Sequence, residues 1–139
     1  MKQLFSLFII AGLFSSCAAT FAPASTESQA IREETRELLR AKVDKMAGVT
    51  QDNMTFYLVL NENNSFAAIV NMNKTKQYDF CAGTYRNHED TLTLNYYKNY
   101  MSKYLTDRAV IDNDNKQITF IDANGNKGRV IKFLTEKVY

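Results

Sequence analysis

The sequence predicts a mainly β protein, one N-terminal amphipathic helix followed by a seven-stranded antiparallel meander that closes into a small barrel. Three observations lead there. Apolar residues near helical spacing fill residues 26–47, a period of two takes over from residue 54, and Asn/Asp/Gly clusters separate the short strands that follow. With 139 residues, the chain has room for one domain.

The predicted elements follow in order. Residues 1–16 read as a removable export segment: Lys2, the apolar run Leu4 to Phe14, then Ser15 and Ser16. The run is shorter than the ~20 residues that carry a helix across a bilayer, which disfavours a retained anchor. Phe14-Ser15-Ser16-Cys17 resembles the bacterial lipobox, with Phe where Leu is usual, and the resemblance implies acylation of Cys17 as the first mature residue and 17–25 as a lipidated tether. The rival cleavage after Ala22 would leave Pro23 at the scissile bond, an unfavourable arrangement.

Residues 26–48 read as the helix. Thr26 and Gln29 fit a capping box, Ile31, Leu38, Leu39 and Met46 share one face, and Gly48 stands where a C-terminal cap belongs. Glu33 with Arg36 and Glu37 with Arg40 are spaced for ion pairs on the solvated face.

Residues 49–139 form the predicted β domain. Its strands are Met54–Leu60, Ser65–Asn71, Gln77–Arg86, Thr91–Tyr97, Arg108–Asp112, Gln117–Asp122 and Gly128–Thr135. Alternation turns Phe56, Leu58, Leu60, Phe66, Ala68, Val70, Leu92, Leu94, Ile118, Phe120 and Phe133 inward. Closure into a barrel removes exposed strand edges. The competing architecture is an α+β fold, a curved antiparallel sheet wrapped on the helix, in which Ile31, Leu38 and Met46 would join the core of Leu58 and Leu94. Residues 97–106, polar and too long for a hairpin, read as a lid or a ragged strand.

Several function classes find no footing. After loss of Lys2, 16 basic residues face 15 acidic ones, which gives no electrostatic ground for nucleic-acid binding. His88, the single histidine, lies in a predicted turn, and one histidine with two cysteines cannot build an ordinary zinc centre. Asp112-Asn113-Asp114-Asn115 starts like a calcium loop but lacks the glycine and glutamate that complete one. With Cys17 acylated, Cys81 has no partner and is expected buried in its strand. No hydrolase or phosphate-binding motif occurs, so the expectation is a non-enzymatic protein without cofactor or metal.

The positive signal is aromatic. Tyr85, Tyr96, Tyr100 and Tyr104 gather in the middle of the β region and are the candidate ligand-binding residues, because tyrosine joins an apolar face to a hydroxyl.

Four stretches resemble a known family: Thr55 to Phe66, Gly83-Thr84-Tyr85, Asp90 to Leu94, and Ile118 to Asp122. Over residues 54–126 they are similar to the barrel of NlpE-type and other lipocalin-like bacterial envelope lipoproteins. The resemblance implies a β barrel, an envelope location and a sensing or ligand-holding role. The Cys-x-x-Cys pair tied to metal or redox sensing in that family is absent, so copper sensing does not carry over.

The expected function is therefore an outer-membrane lipoprotein facing the periplasm, held through Cys17, binding a small apolar ligand in or at the mouth of the barrel. The alternative is a solid barrel that docks another envelope protein as a stress sensor or assembly factor.

Overall fold

The computed structural model describes residues 25–134; the expected export segment, Cys17 and the expected tether as far as residue 24 lie outside them. One helix, α1 (Thr26–Glu34), precedes eight strands: β1 (Val43–Gln51), β2 (Met54–Asn61), β3 (Ser65–Met72), β4 (Gln77–His88), β5 (Thr91–Tyr96), β6 (Arg108–Asp112), β7 (Gln117–Ile121) and β8 (Lys127–Phe133). Each strand pairs antiparallel with the next, and β8 returns to β1, giving a closed up-and-down barrel.

The barrel has eight strands where seven were expected, because the predicted helix is too long. It stops at Glu34, and residues 43–51 form a strand. Ser25, not Thr26, is the N-cap, its Oγ accepting the Ser28 N–H at 3.2 Å. At the other end, the Thr35 hydroxyl donates to the Ile31 carbonyl at 2.6 Å, a side-chain bond that competes with continuation of the helix. Gly48 is no cap. It lies in β1, where a Cβ would come within 2.8 Å of the Phe56 carbonyl oxygen, so the β1–β2 ladder needs the bare backbone there. The turn between these strands is Asp52-Asn53, both at positive φ (54° and 61°), as a two-residue hairpin of matched twist requires.

The other seven strands fall within two residues of expectation at either end. Phe56, Leu58, Leu60, Phe66, Ala68, Val70, Leu92, Leu94, Ile118 and Phe120 are buried in one core cluster, with Phe133 packed at its margin. Phe66 and Tyr96, the register neighbours of Gly83 on its two sides, meet edge to face over the bare glycine at 5.2 Å. An eight-stranded barrel is just wide enough for side chains to fill, and each buried Phe, Leu or Ile stabilises it by ~1.5–3 kcal/mol.

Helix α1 packs outside this barrel. Ile31 joins Ala67, Phe80 and Ala82 of the outer faces of β3 and β4, a cluster separate from the one holding Leu58 and Leu94. That separation, with Met46 on β1, rules out the sheet wrapped on a helix.

The helix has a reason to sit there. β5 pairs only with the second half of β4, from Gly83 onward, so residues 77–82 of β4 lack a strand on that side. Ser28 supplies part of what is missing: its Oγ accepts the buried Phe80 N–H at 3.0 Å and donates to Asp79 Oδ1 at 2.9 Å. Gly83 marks the crossing point, because a Cβ there would fall 1.9 Å from the Asn95 carbonyl oxygen.

Candidate functional site at one barrel end

The gap beside β4 is closed from two sides, by α1 and by the β5–β6 connection, residues 97–107. A 3₁₀ turn, Tyr97–Asn99, opens this connection, with Lys98 and Asn99 at positive φ. Lys98 Nζ reaches Glu34 Oε2 at 2.6 Å and ties the turn to α1. Farther on, Ser102 Oγ accepts the N–H groups of Tyr104 and Leu105 at 3.1 and 3.2 Å. Leu105 is thereby inserted into the core, only 2% exposed, and Thr106 Oγ1 donates to the Ile121 carbonyl at 2.7 Å. The segment that read as a lid or a ragged strand is a plug fixed by hydrogen bonds at both ends.

Between plug, helix and β4 lies a cavity of about 220 Å³, partly open to solvent and lined by Ser25, Met72, Gln77, Tyr78, Asp79, Tyr100, Lys103 and Tyr104. Asp79 is its charged centre. On β4 it occupies the same face as Cys81, whose side chain is buried in the barrel. Asp79 Oδ1 accepts from Ser28 Oγ at 2.9 Å and from the Tyr100 hydroxyl at 3.2 Å. Ser25 Oγ lies 3.1 Å from the same Tyr100 hydroxyl. Tyr78 bounds the outer side, its hydroxyl accepting from Arg32 Nη1 at 3.0 Å. The Tyr104 ring turns inward to meet Phe56 edge-on at 6.0 Å.

The four candidate tyrosines do not form one group. Tyr100 and Tyr104 line the cavity. Tyr96 is buried in the core, its hydroxyl directed to the Leu105 and Thr106 carbonyls, so it holds the plug rather than facing an opening. Tyr85 lies toward the opposite barrel end, donating to the Asn61 carbonyl beside the β2–β3 turn at 2.9 Å. Burial raises both of these phenols above the ordinary range, so they act as neutral donors.

Tyr78, Asp79 and Ser28 were not among the candidates. Asp79 had a readable sign, a carboxylate at an inward place in an alternating strand, since a charge there must find partners.

Cys81 is buried, and its Sγ points toward Asp79 Oδ2 at 3.9 Å. Burial first, and then the Asp79 charge, push its thiol up to about 12, so it stays protonated and unreactive at neutral pH. His88 ends β4 and is exposed. The Asp112 carboxylate is taken up by Asn115, whose N–H and side-chain amide donate to it at 3.0 and 2.7 Å, a turn rather than a calcium loop. Among the described residues no cluster of His, Cys, Asp and Glu is placed to hold a metal, and no helix is long and apolar enough to cross a membrane.

Comparison with known protein families, curated proteins and solved structures found no match.

Proposed function

We propose that the chain is a non-enzymatic envelope lipoprotein, held at the outer membrane through Cys17, whose filled barrel is a rigid mount for a small-ligand site at one end. The observation that carries this reading is the cavity of about 220 Å³ walled by Tyr78, Tyr100 and Tyr104 around Asp79. Tyrosine rings offer stacking surface and Asp79 offers an anion, so the occupant is a small ligand with an apolar face and a polar edge. The volume falls below the ~300 Å³ at which pockets begin to take drug-sized molecules, which favours a fragment-sized metabolite over a lipid. Filled as it is by side chains, the interior favours the mouth over the barrel lumen. A β barrel is also what the resemblance to NlpE-type lipoproteins implies.

Native mass spectrometry of the protein extracted from its own membrane tests this. The expected result is a small-molecule adduct that Tyr100→Ala loses. A protein at bare mass from its own membrane, which also takes up nothing from a metabolite mixture, refutes it.

The alternative, docking of another envelope protein, draws on one observation. On the outer face Val110 and Val130, each 37% exposed, flank Thr119 across three neighbouring strands. Photocrosslinking from position 110 in intact cells should then recover one specific partner, and recovery of none removes this reading.

A further inference from the structure

Arg129 lies on β8 at the same end of the barrel, on the strand face that also carries the buried Ile131. Thr119 pairs with Val130 but Ile121 pairs with Lys127, so Phe120 alone faces Gly128 and Arg129, a bulge that interrupts the ladder beside this side chain. The guanidinium carbon sits 3.8 Å from the centroid of the fully buried Phe56 ring.

Two of its features do not suit a merely structural cork. Nη1 donates to Gln51 Oε1 at 2.8 Å, but Nε is buried without a partner, the one such side-chain nitrogen or oxygen among the described residues. Arg129 also takes part in none of the ion pairs among the described residues. A guanidinium is charged at every accessible pH, and buried donors in folded proteins are almost always satisfied. A bound acceptor supplies what the fold withholds.

We propose that Arg129 anchors a carboxylate-binding site at this barrel end. With Nη1 held by Gln51, the edge formed by Nε and Nη2 remains, two parallel N–H groups that match the two oxygens of a carboxylate; since Nε is closed to solvent, the half-buried side chain swings outward to meet one. Val49 and Met54, the register neighbours of Phe56 and Gln51, are partly buried apolar residues. They select a carboxylate on a short apolar stem, since the core beyond is filled. The site goes beyond the Tyr100 cavity and stands without it; Tyr104 alone touches both, lining the cavity and meeting Phe56.

The test is a titration of the intact protein in detergent with sodium propionate, read through the ¹H–¹⁵N signal of the Arg129 Nε–H. Sodium chloride at equal ionic strength and inorganic phosphate are the comparison arms. The expected result is a saturable shift with propionate, absent with chloride, that survives Tyr100→Ala. Arg129→Lys, which keeps the charge but not the fork, should weaken binding about tenfold or more, read from the shifts of neighbouring backbone amides. If that variant does not fold, the wild-type titration decides alone. A propionate response equal to that of chloride overturns the proposal. Saturation by phosphate alone overturns the carboxylate assignment.

Discussion

Removal of one hydroxyl, in Ser28→Ala, should cost this protein more than most single substitutions outside its core. Ser28 is buried, and its Oγ stands where the missing stretch of β5 would have paired, accepting the Phe80 N–H at 3.0 Å and donating to Asp79 at 2.9 Å. Alanine leaves a buried N–H without an acceptor, ~1–3 kcal/mol, and removes one charge-assisted bond, ~1 kcal/mol while Tyr100 still donates to Asp79. The better helix propensity of alanine returns about 0.5 kcal/mol. The net loss is about 1.5–3.5 kcal/mol. At ~2.1 cal/mol/K of unfolding entropy per residue, the barrel should melt roughly 6–14 °C lower. Urea unfolding followed by circular dichroism gives the free energy, and hydrogen exchange at the Phe80 amide gives the location. A loss below ~0.5 kcal/mol, with the Phe80 amide as protected as in the parent, would refute the idea that this serine closes the sheet edge.

Other expectations concern separate parts of the molecule. Gly83→Ala drives a methyl group to 1.9 Å from the Asn95 carbonyl oxygen, so it should destabilise by ~3 kcal/mol or more; a calorimetric melting temperature equal to the parent's counts against it. Cys81 in the native protein should resist iodoacetamide at neutral pH, and labelling at the rate of the urea-unfolded chain would show that the thiol is not enclosed. Because its native pKa, about 12, lies above its ordinary 9.0, the stability linked to the neutral thiol is complete below pH 9 and falls as pH rises toward 12. Urea midpoints should follow that course, with a shallower decline in Cys81→Ala; an unchanged slope in that variant refutes the linkage. Cys17→Ala should release the protein from the membrane fraction, and retention there would mean that something other than acyl chains holds it.

How much of this was legible follows from which residues alternate. β2 to β8 announced themselves because Phe56, Leu58 and Leu60, or Leu92 and Leu94, leave only one way to bury an apolar face. β1 did not, because Ile31, Leu38, Leu39 and Met46 are spaced as on a helix face although they belong to α1, a turn and a strand. The overlooked sign was Asp52-Asn53, a two-residue hairpin turn that demands a strand on each side. The tyrosines of the site were visible as a cluster, but their division was not: Tyr85 and Tyr100 belong to opposite ends of the barrel, and only the register assigns them. Arg129 stands two residues before Ile131 and four before Phe133, so alternation turns it inward, but nothing in the sequence marks which groups a charge there would meet.

The barrel is completed by its first strand meeting its last: Ala47 opposes Phe133, Gly48 opposes Lys132, and the Leu134 N–H donates to the Met46 carbonyl at 2.8 Å. Every other ladder joins strands adjacent in sequence and closes only a short loop, whereas this seam closes nearly the whole domain and carries the largest loop-closure entropy. Hairpins should therefore assemble first and the seam last, so that Phe133→Ala speeds unfolding in stopped-flow measurements while leaving the folding rate unchanged. Until β8 arrives, β1 and β7 are bare sheet edges, open to strands of other chains. That interval, more than the finished barrel, sets the chain's exposure to aggregation.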